Sequence, residues 1–496
     1  MTSAPIRLVL LSALALSCGD GDGDGGNHED VGKQTEPAPA DQTNTMLCDT
    51  SRQAQAYRAV LAGDSGEALP SPAQSVVPCA QLTGFASSET SLAVLKDGTV
   101  LVAPVITAEG TGVLRSKDRA RTWEVLLPGK LGGAQHDRSQ PYLYVDPTTE
   151  RVLFATATGS ANVGFALSLS DDGGSTWRPS TVGSGTVDWI KILGGSPATP
   201  GYATTLYASS PAPISTGFPD HQQVLRSLDG GQTWSAIDNG MLSLKPEQNG
   251  CDVNEWVIYG SGVVAADGTL YLGLRHCGQL GIALTRDQGT TWTVRDVPEA
   301  KLVAYGGLLS HMMLHNLMVA EPLAIDSDGN LYAVWNDDKD ALRMVISRDR
   351  AQSWGKPLAV APPGVTHTVF ADVAIKAAGT IALAYYGSED GGRTYSAYAS
   401  ESLDALSTAP SFVGVRLNPP AGEPLFSEGF DIGYSEVFSR GDLVEMVRVA
   451  YAPNGDIWAS FAKDMCPGMD RSHCTWDPAA HDNSTYQLLM GRLEHR

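Results

Sequence analysis

The chain has 496 residues, 34 lysines and arginines against 55 aspartates and glutamates, and a formal net charge of −21. So acidic a chain is a poor match for nucleic acid or for an anionic membrane surface, and both are excluded as partners. Beyond the first eighteen residues no stretch is long and apolar enough to cross a bilayer as a helix.

The N-terminus reads MTSAPIRLVLLSALALSC, with one cation at Arg7, an apolar run from Leu8 to Leu16, then Ser17 and Cys18. Residues 1–17 are therefore read as a secretory signal peptide. A small residue just before a cysteine resembles a bacterial lipobox, although Ala15 stands where leucine is usual. Lipidation of Cys18 is expected, and with it an exported protein at the bacterial outer membrane or cell surface, held to the membrane only by its N-terminal lipid. Residues 18–47 carry seven acids and one lysine among Gly, Pro and Thr and almost no apolar residue. Such a segment cannot bury enough surface to fold and is predicted to be a flexible tether. Asp20, Asp22 and Asp24 have the start of a calcium loop but no ligand-bearing continuation. Six cysteines follow Cys18, an even number that in an exported protein suggests disulfides. Six allow fifteen connectivities; proximity alone suggests Cys48–Cys79, Cys251–Cys277 and Cys466–Cys474.

From about residue 85 the chain repeats itself. Apolar hairpins with D-G, N-G or similar turns recur as SLAVLKDGTVLVAPV, YLYVDPTTERVLFAT, VVAADGTLYLGL, PLAIDSDGNLYAVW, VAIKAAGTIALAYY and VRVAYAPNGDIWASF, and WIKILGG with TTLYAS fills the same roles after Asp188. Between them an octet returns: SKDRARTW (116–123), SDDGGSTW (170–177), SLDGGQTW (227–234), TRDQGTTW (285–292) and SRDRAQSW (347–354). Aspartate bonded to nearby backbone N–H groups and glycine in the left-handed region make a tight turn, and the tryptophan buries a large ring between sheets. The aspartates Asp118, Asp172, Asp229, Asp287 and Asp349 are 54, 57, 58 and 62 residues apart, and Asp404 in SLDALSTA follows after 55. SEDGGRTY (388–395) comes only 41 residues after Asp349, between a second and a third strand, and is taken as a loop outside the series. A constant period of this length means one four-stranded unit per repeat.

The octet matches S-x-D-x-G-x-T-W, and the chain resembles the Asp-box (bacterial neuraminidase repeat) β-propellers of the sialidase superfamily. That resemblance implies an all-β propeller of four-stranded antiparallel blades over residues 85–496, with the boxes (Asp118, Asp172, Asp229, Asp287, Asp349 and Asp404; Trp123, Trp177, Trp234, Trp292 and Trp354) between third and fourth strands on the face opposite the substrate site. Seven hairpin openings predict seven blades, with six as the alternative. The last opening is followed by a single further strand-like run, YQLLMGRL. The N-terminal segment 48–84, through QSVVPCAQL (74–82), either supplies the missing outer strand or packs unpaired on the surface.

If the boxes mark the bottom, loops entering first strands and loops between second and third strands build the top. This places Trp189, Trp256 and Trp335 there as stacking surfaces for sugar, against the alternative of packing between blades. It also places His136, Asp137, Arg138, Asp188, Glu255, Arg275, His276, His311, His315, Glu321, Asp372, Glu436 and Arg448 near the top or the channel. Arg138, Asp188, Glu255 and Arg275, with the three tryptophans, are the candidate ligand contacts. Glu321, Asp372 and Arg448, which begin first strands facing a channel, are the candidate catalytic residues. Sialidases hold the substrate carboxylate with three arginines and use a Tyr–Glu nucleophile pair and an Asp acid/base. The first arginine, in an R-I-P motif, is replaced here by Val102-Ala103-Pro104, and no spacing selects Tyr259 or Tyr385 as a nucleophile. HMMLH (311–315) lacks the glutamate of a zinc-protease motif, and no Walker loop, dinucleotide fingerprint or G-x-S-x-G is present. No metal and no cofactor is expected. Two functions remain open: a monomeric propeller that binds carbohydrate or a cell-surface protein, and a glycoside hydrolase with a rearranged site, for which Glu321 and Asp372 are the carboxylate pair.

Overall fold

In a computed structural model of the protein, each repeat is an antiparallel sheet and seven such sheets stand in a ring. The structure describes residues 46–51, 54–61, 67–69, 76–87, 89–107, 109–136, 141–157, 165–182, 190–195, 204–211, 221–237, 242–243, 259–276, 279–301, 323–337, 339, 341–418, 422–429, 447–466 and 486–495. The inner strands are Ser91–Val94, Tyr142–Val145, Lys191–Gly195, Tyr259–Val264, Leu323–Ile325, His367–Ala377 and Arg448–Tyr451, blades 1 to 7 in chain order. Each neighbours the next, and the seventh returns to the first. The fold is a seven-bladed, all-β propeller.

Alternation along each strand explains why so many strands read as continuous apolar runs. Blade 2's second strand, Val152–Ala157, buries Val152 and Phe154 against blade 1, and Leu153 and Ala155 against blade 3. Successive side chains point to opposite faces, and in a propeller both faces of a blade are covered. The buried apolar residues accordingly fall into seven clusters, one at each seam between blades. Each fully buried Val, Leu or Phe contributes about 1.5–3 kcal/mol relative to exposure.

The octets share one hydrogen-bond plan. In 227–234, Asp229 Oδ1 accepts from Ser227 Oγ (2.8 Å) and the Thr233 N–H (2.9 Å), Asp229 Oδ2 accepts from Thr233 Oγ1 (2.6 Å), and the Gly231 N–H donates to Ser227 Oγ (2.8 Å). Two consecutive residues, the fourth and fifth, take left-handed backbone angles, as at Gly230 and Gly231 (φ +68° and +89°). Where the sequence has no glycine, Arg119–Ala120 and Arg350–Ala351 adopt the same angles, a conformation that costs a Cβ-bearing residue free energy. The plan holds the turn carbonyls outward, and arginines of the preceding blade donate to them. Arg115 donates to Gly173 O, Arg151 to Gly230 O, Arg226 to Gln288 O, Arg295 to Ala351 O and Arg492 to Arg119 O, at 2.6–3.3 Å. Arg348 donates likewise to Leu406 O. The octets therefore serve as acceptors that clamp one blade to the next.

Two octet assignments change. SEDGGRTY does lie between blade 6's second and third strands, at the opposite end from the other octets, yet it carries the full plan: Asp390 bonds Ser388 and Thr394, and Gly391 and Gly392 are left-handed. SLDALSTA lacks it. Leu406 stands at the glycine position without a left-handed angle, and Asp404 turns to Ser411 N and Oγ (2.8 and 3.1 Å) instead of to Thr408.

Blade 7 is assembled from both ends of the described chain. Val76–Ala86 runs antiparallel to Tyr486–His495 as its outer strand, with Leu47–Cys48 added outside it. Cys48 and Cys79 face each other in that register and are disulfide-bonded. Cys466 is also disulfide-bonded, while Cys251, Cys277 and Cys474 lie outside the described residues. From Leu47–Cys48 the chain runs back around the ring, adding Gln55–Arg58 to the edge of blade 6 and Val60–Leu61 to blade 5. Tyr57 anchors this belt. Its ring is wholly buried and stacks on Phe412 at 5.7 Å, and its hydroxyl donates to Val360 O at 2.8 Å.

Candidate functional site

Ser91, Tyr142, Lys191 and Arg448 are each the first residue of an inner strand, so all four lie at the channel end opposite the clamped octets. Asp372 reaches the same end by a different device. Blade 6's inner strand bulges between Val369 and Asp372, and Phe370 sits at φ +50° within the bulge. A bulky residue rarely adopts that angle, at a cost of about 1–3 kcal/mol. The bulge re-aims Asp372 toward blade 7.

The result is a compact polar cluster at the mouth. Asp372 Oδ2 accepts the Val449 N–H at 2.9 Å, and Oδ1 lies 3.6 Å from Arg448 Nη1. The Arg448 guanidinium stacks over the Tyr142 ring at 4.6 Å, and Lys191 Nζ lies 5.3 Å from the centre of that ring. Tyr142, Lys191 and Asp372 are buried, and the Arg448 side chain is 15% exposed. Burial pushes the Asp372 carboxyl above the usual carboxylate range, against the opposing pull of Arg448, the Val449 and Val373 N–H groups and Lys191. Burial works against the Arg448 cation too, but Tyr142 and Asp372 outweigh it and hold the guanidinium above its ordinary value. Arg448 stays charged, and on acidification it is the Asp372 carboxylate that takes up a proton. Arg448 Nη2 is buried and has no hydrogen-bond partner. An unmet buried donor of this kind costs about 1–3 kcal/mol.

Asp372 and Arg448 are thus brought together. Glu321, Arg138, Asp188, Trp189, Glu255 and Trp256 lie outside the described residues, as do Asp137, His311, His315, Glu436 and Cys18. For Arg275, His276 and Tyr259 the strand backbone is described and the side chain is not. Trp335 is not a displayed ring: it is 1% exposed in the seam between blades 4 and 5, packed with Tyr271 and Leu331. Alternation decides this, because Leu331, Ala333 and Trp335 share the strand face turned to blade 4. Tyr385 is likewise buried, in the seam between blades 5 and 6.

His136 is buried as well. Its ring nitrogens lie 3.0 Å from Thr156 Oγ1 and 2.7 Å from Ser168 Oγ, with Phe154 against its face. Two hydroxyls suit a neutral imidazole, which donates from one nitrogen and accepts at the other. Burial pulls it down from 6.5 to about 3.

Two Tyr–Glu pairs occur among the described residues, and neither is at the mouth. Tyr398 donates to Glu389 (2.5 Å) on blade 6's third strand, two strands out from the channel. Tyr451 donates to Glu401 (3.1 Å) at the octet end, where Glu401, held above its ordinary range by burial, also meets His495 at 3.3 Å. Tyr142 and Lys191 escaped the sequence reading. The signal available was positional: each opens an inner strand, the register slot that Arg448 also occupies.

No protein-family profile matches the chain. A xyloglucanase of Acetivibrio thermocellus is 32% identical over 180 residues, covering 32% of this chain and 18% of the relative. A xyloglucanase of a Paenibacillus species is 30% identical over 171 residues, covering 32% and 16%. The chain therefore spans less than a fifth of the length of these curated relatives. Among solved structures, the BP39L lectin of Burkholderia pseudomallei aligns with a TM-score of 0.46 at 12% identity, over 76% of this chain and 93% of the lectin. The intramolecular trans-sialidase of Ruminococcus gnavus aligns with a TM-score of 0.38 at 14% identity, over 82% and 93%.

Proposed function

We propose that the protein is an exported, lipid-anchored Asp-box propeller that binds carbohydrate at the channel mouth. The observation that carries the reading is the Asp372–Arg448–Tyr142–Lys191 cluster. A carboxylate, a guanidinium with an unmet donor and an aromatic ring converge at the channel end opposite the octets, and such a mixture of aromatic and polar groups suits sugar recognition. The apolar run before Cys18 and the acidic segment after it support export and tethering. Calorimetric titration of the full-length protein with a panel of oligosaccharides tests the proposal. Saturable binding that weakens in Arg448→Met is expected, and binding unaltered by that substitution would move the site elsewhere.

Glycoside hydrolysis is the second reading. The local identity to xyloglucanases favours it, and Glu321 with Asp372 would supply the two carboxylates that such chemistry uses. Asp372 as found is a restrained acid, bonded to Val449 N and facing Arg448, which favours binding over catalysis. Incubation with xyloglucan and sialosides, read by mass spectrometry, separates the readings. Products that vanish in Glu321→Gln would establish the enzyme.

A further inference from the structure

We infer that the Asp372–Arg448 pair recognises a neutral saccharide through adjacent hydroxyl groups, and not an acidic one through its carboxylate or sulfate. The inference rests on the carbohydrate-binding reading above and specifies the class of sugar.

Three features of the cluster lead to it. Arg448 already faces a carboxylate and an aromatic ring, so its charge is matched before any ligand arrives. An incoming anion would meet the Asp372 carboxylate beside the guanidinium and would have to displace it or share it. A like charge at that distance in a water-poor site is unfavourable. Second, Lys191 is not poised as an anion receptor. Its ammonium is buried and lies against the Tyr142 ring. Third, the pair presents a donor and an acceptor side by side. Arg448 Nη2 has no partner, while the Asp372 carboxylate, held by the Val449 and Val373 N–H groups, keeps its Oδ1 at 3.6 Å from Arg448 Nη1 with a lone pair to offer. A sugar hydroxyl both donates and accepts. One hydroxyl accepting from Nη2, with its neighbour donating to Oδ1, would complete both groups without adding charge. The strained bulge at Phe370 fits such a role, because it fixes the Asp372 carboxylate in place before the ligand binds.

The test titrates full-length protein in detergent micelles with neutral probes (xyloglucan and arabinan oligosaccharides) and acidic ones (sialyllactose and oligogalacturonate). Each titration is run at about 50 and about 500 mM salt, a range over which screening of an ionic contact changes strongly. Neutral probes are expected to bind with affinity unchanged by salt, and Asp372→Asn and Arg448→Met to weaken them about ten-fold or more, the range for hydrogen bonds to charged groups. Preferential binding of acidic probes, falling steeply with salt, would overturn the inference and leave the carbohydrate-binding reading standing. Neutral binding that ignores both substitutions would overturn it as well. Absence of binding by either class would refute the carbohydrate reading itself. Should the variants not fold, the probe preference and the salt response of the unaltered protein still decide.

Discussion

Replacing His136 with asparagine should remove a specific part of the protein's sensitivity to acid. The folded imidazole titrates at about 3 because it is buried among Phe154, Thr156 and Ser168, whereas the unfolded one titrates near its ordinary 6.5. Below pH 6.5 the unfolded chain takes up a proton that the folded protein refuses. The contribution of His136 to stability is thus complete above pH 6.5, and it is lost progressively as pH falls toward 3. At 1.36 kcal/mol per pH unit, the loss between pH 7.5 and pH 5 is about 2 kcal/mol. Urea unfolding at those two pH values, on the unaltered protein and on His136→Asn, reads the effect as a difference of differences. The variant should be less stable at pH 7.5, for want of the two hydroxyl contacts, and its stability should fall about 2 kcal/mol less on acidification. An identical pH response in both proteins would refute the assignment of a neutral buried imidazole.

The octet plan predicts unequal effects of one substitution at equivalent places. Thr233→Val and Thr394→Val each remove a hydroxyl bonded to the turn aspartate and should cost about 1 kcal/mol in urea unfolding, whereas Thr408→Val, whose hydroxyl makes no such bond, should be neutral. Replacing Cys48 and Cys79 together with alanine, which removes the bond closing a span of 31 residues and leaves that of Cys466 in place, should lower stability by about 3–4 kcal/mol on the chain-entropy account; an unchanged unfolding midpoint would show that the belt is held by Tyr57 and its strand pairing alone.

The blades were legible because they obey two periods at once. Alternation along strands such as Val152–Ala157 encodes which seam each side chain fills, and the octets mark where each third strand ends. The octet letters proved a better guide to turn geometry than their spacing. SEDGGRTY keeps the hydrogen bonds although it falls out of step, and SLDALSTA keeps step while Leu406 does not take the left-handed angle and Asp404 bonds Ser411. The belt was illegible, since Gln55–Arg58 and Val60–Leu61 are too short to carry a period and take their form from the edges they join. Trp335 was misplaced because its position at the end of a second strand says how high it stands, whereas parity along the strand says which way it faces. Asp372 and Arg448 were within reach as strand-opening charges. Their contact was not, because it depends on a bulge at Phe370 that no residue type announces.

Blade 7 has a consequence for the timing of folding. Its outer strand, Val76–Ala86, finds its partner only when Tyr486–His495 has been made, about 400 residues later. At roughly 5–20 residues per second, synthesis leaves that apolar strand without its mate for about 20–80 seconds. A chain in this condition has an unsatisfied sticky edge for the whole of its birth. Delivery across a membrane before folding would suit it well, since both halves of the blade would then meet in the compartment where the Cys48–Cys79 bond can also form.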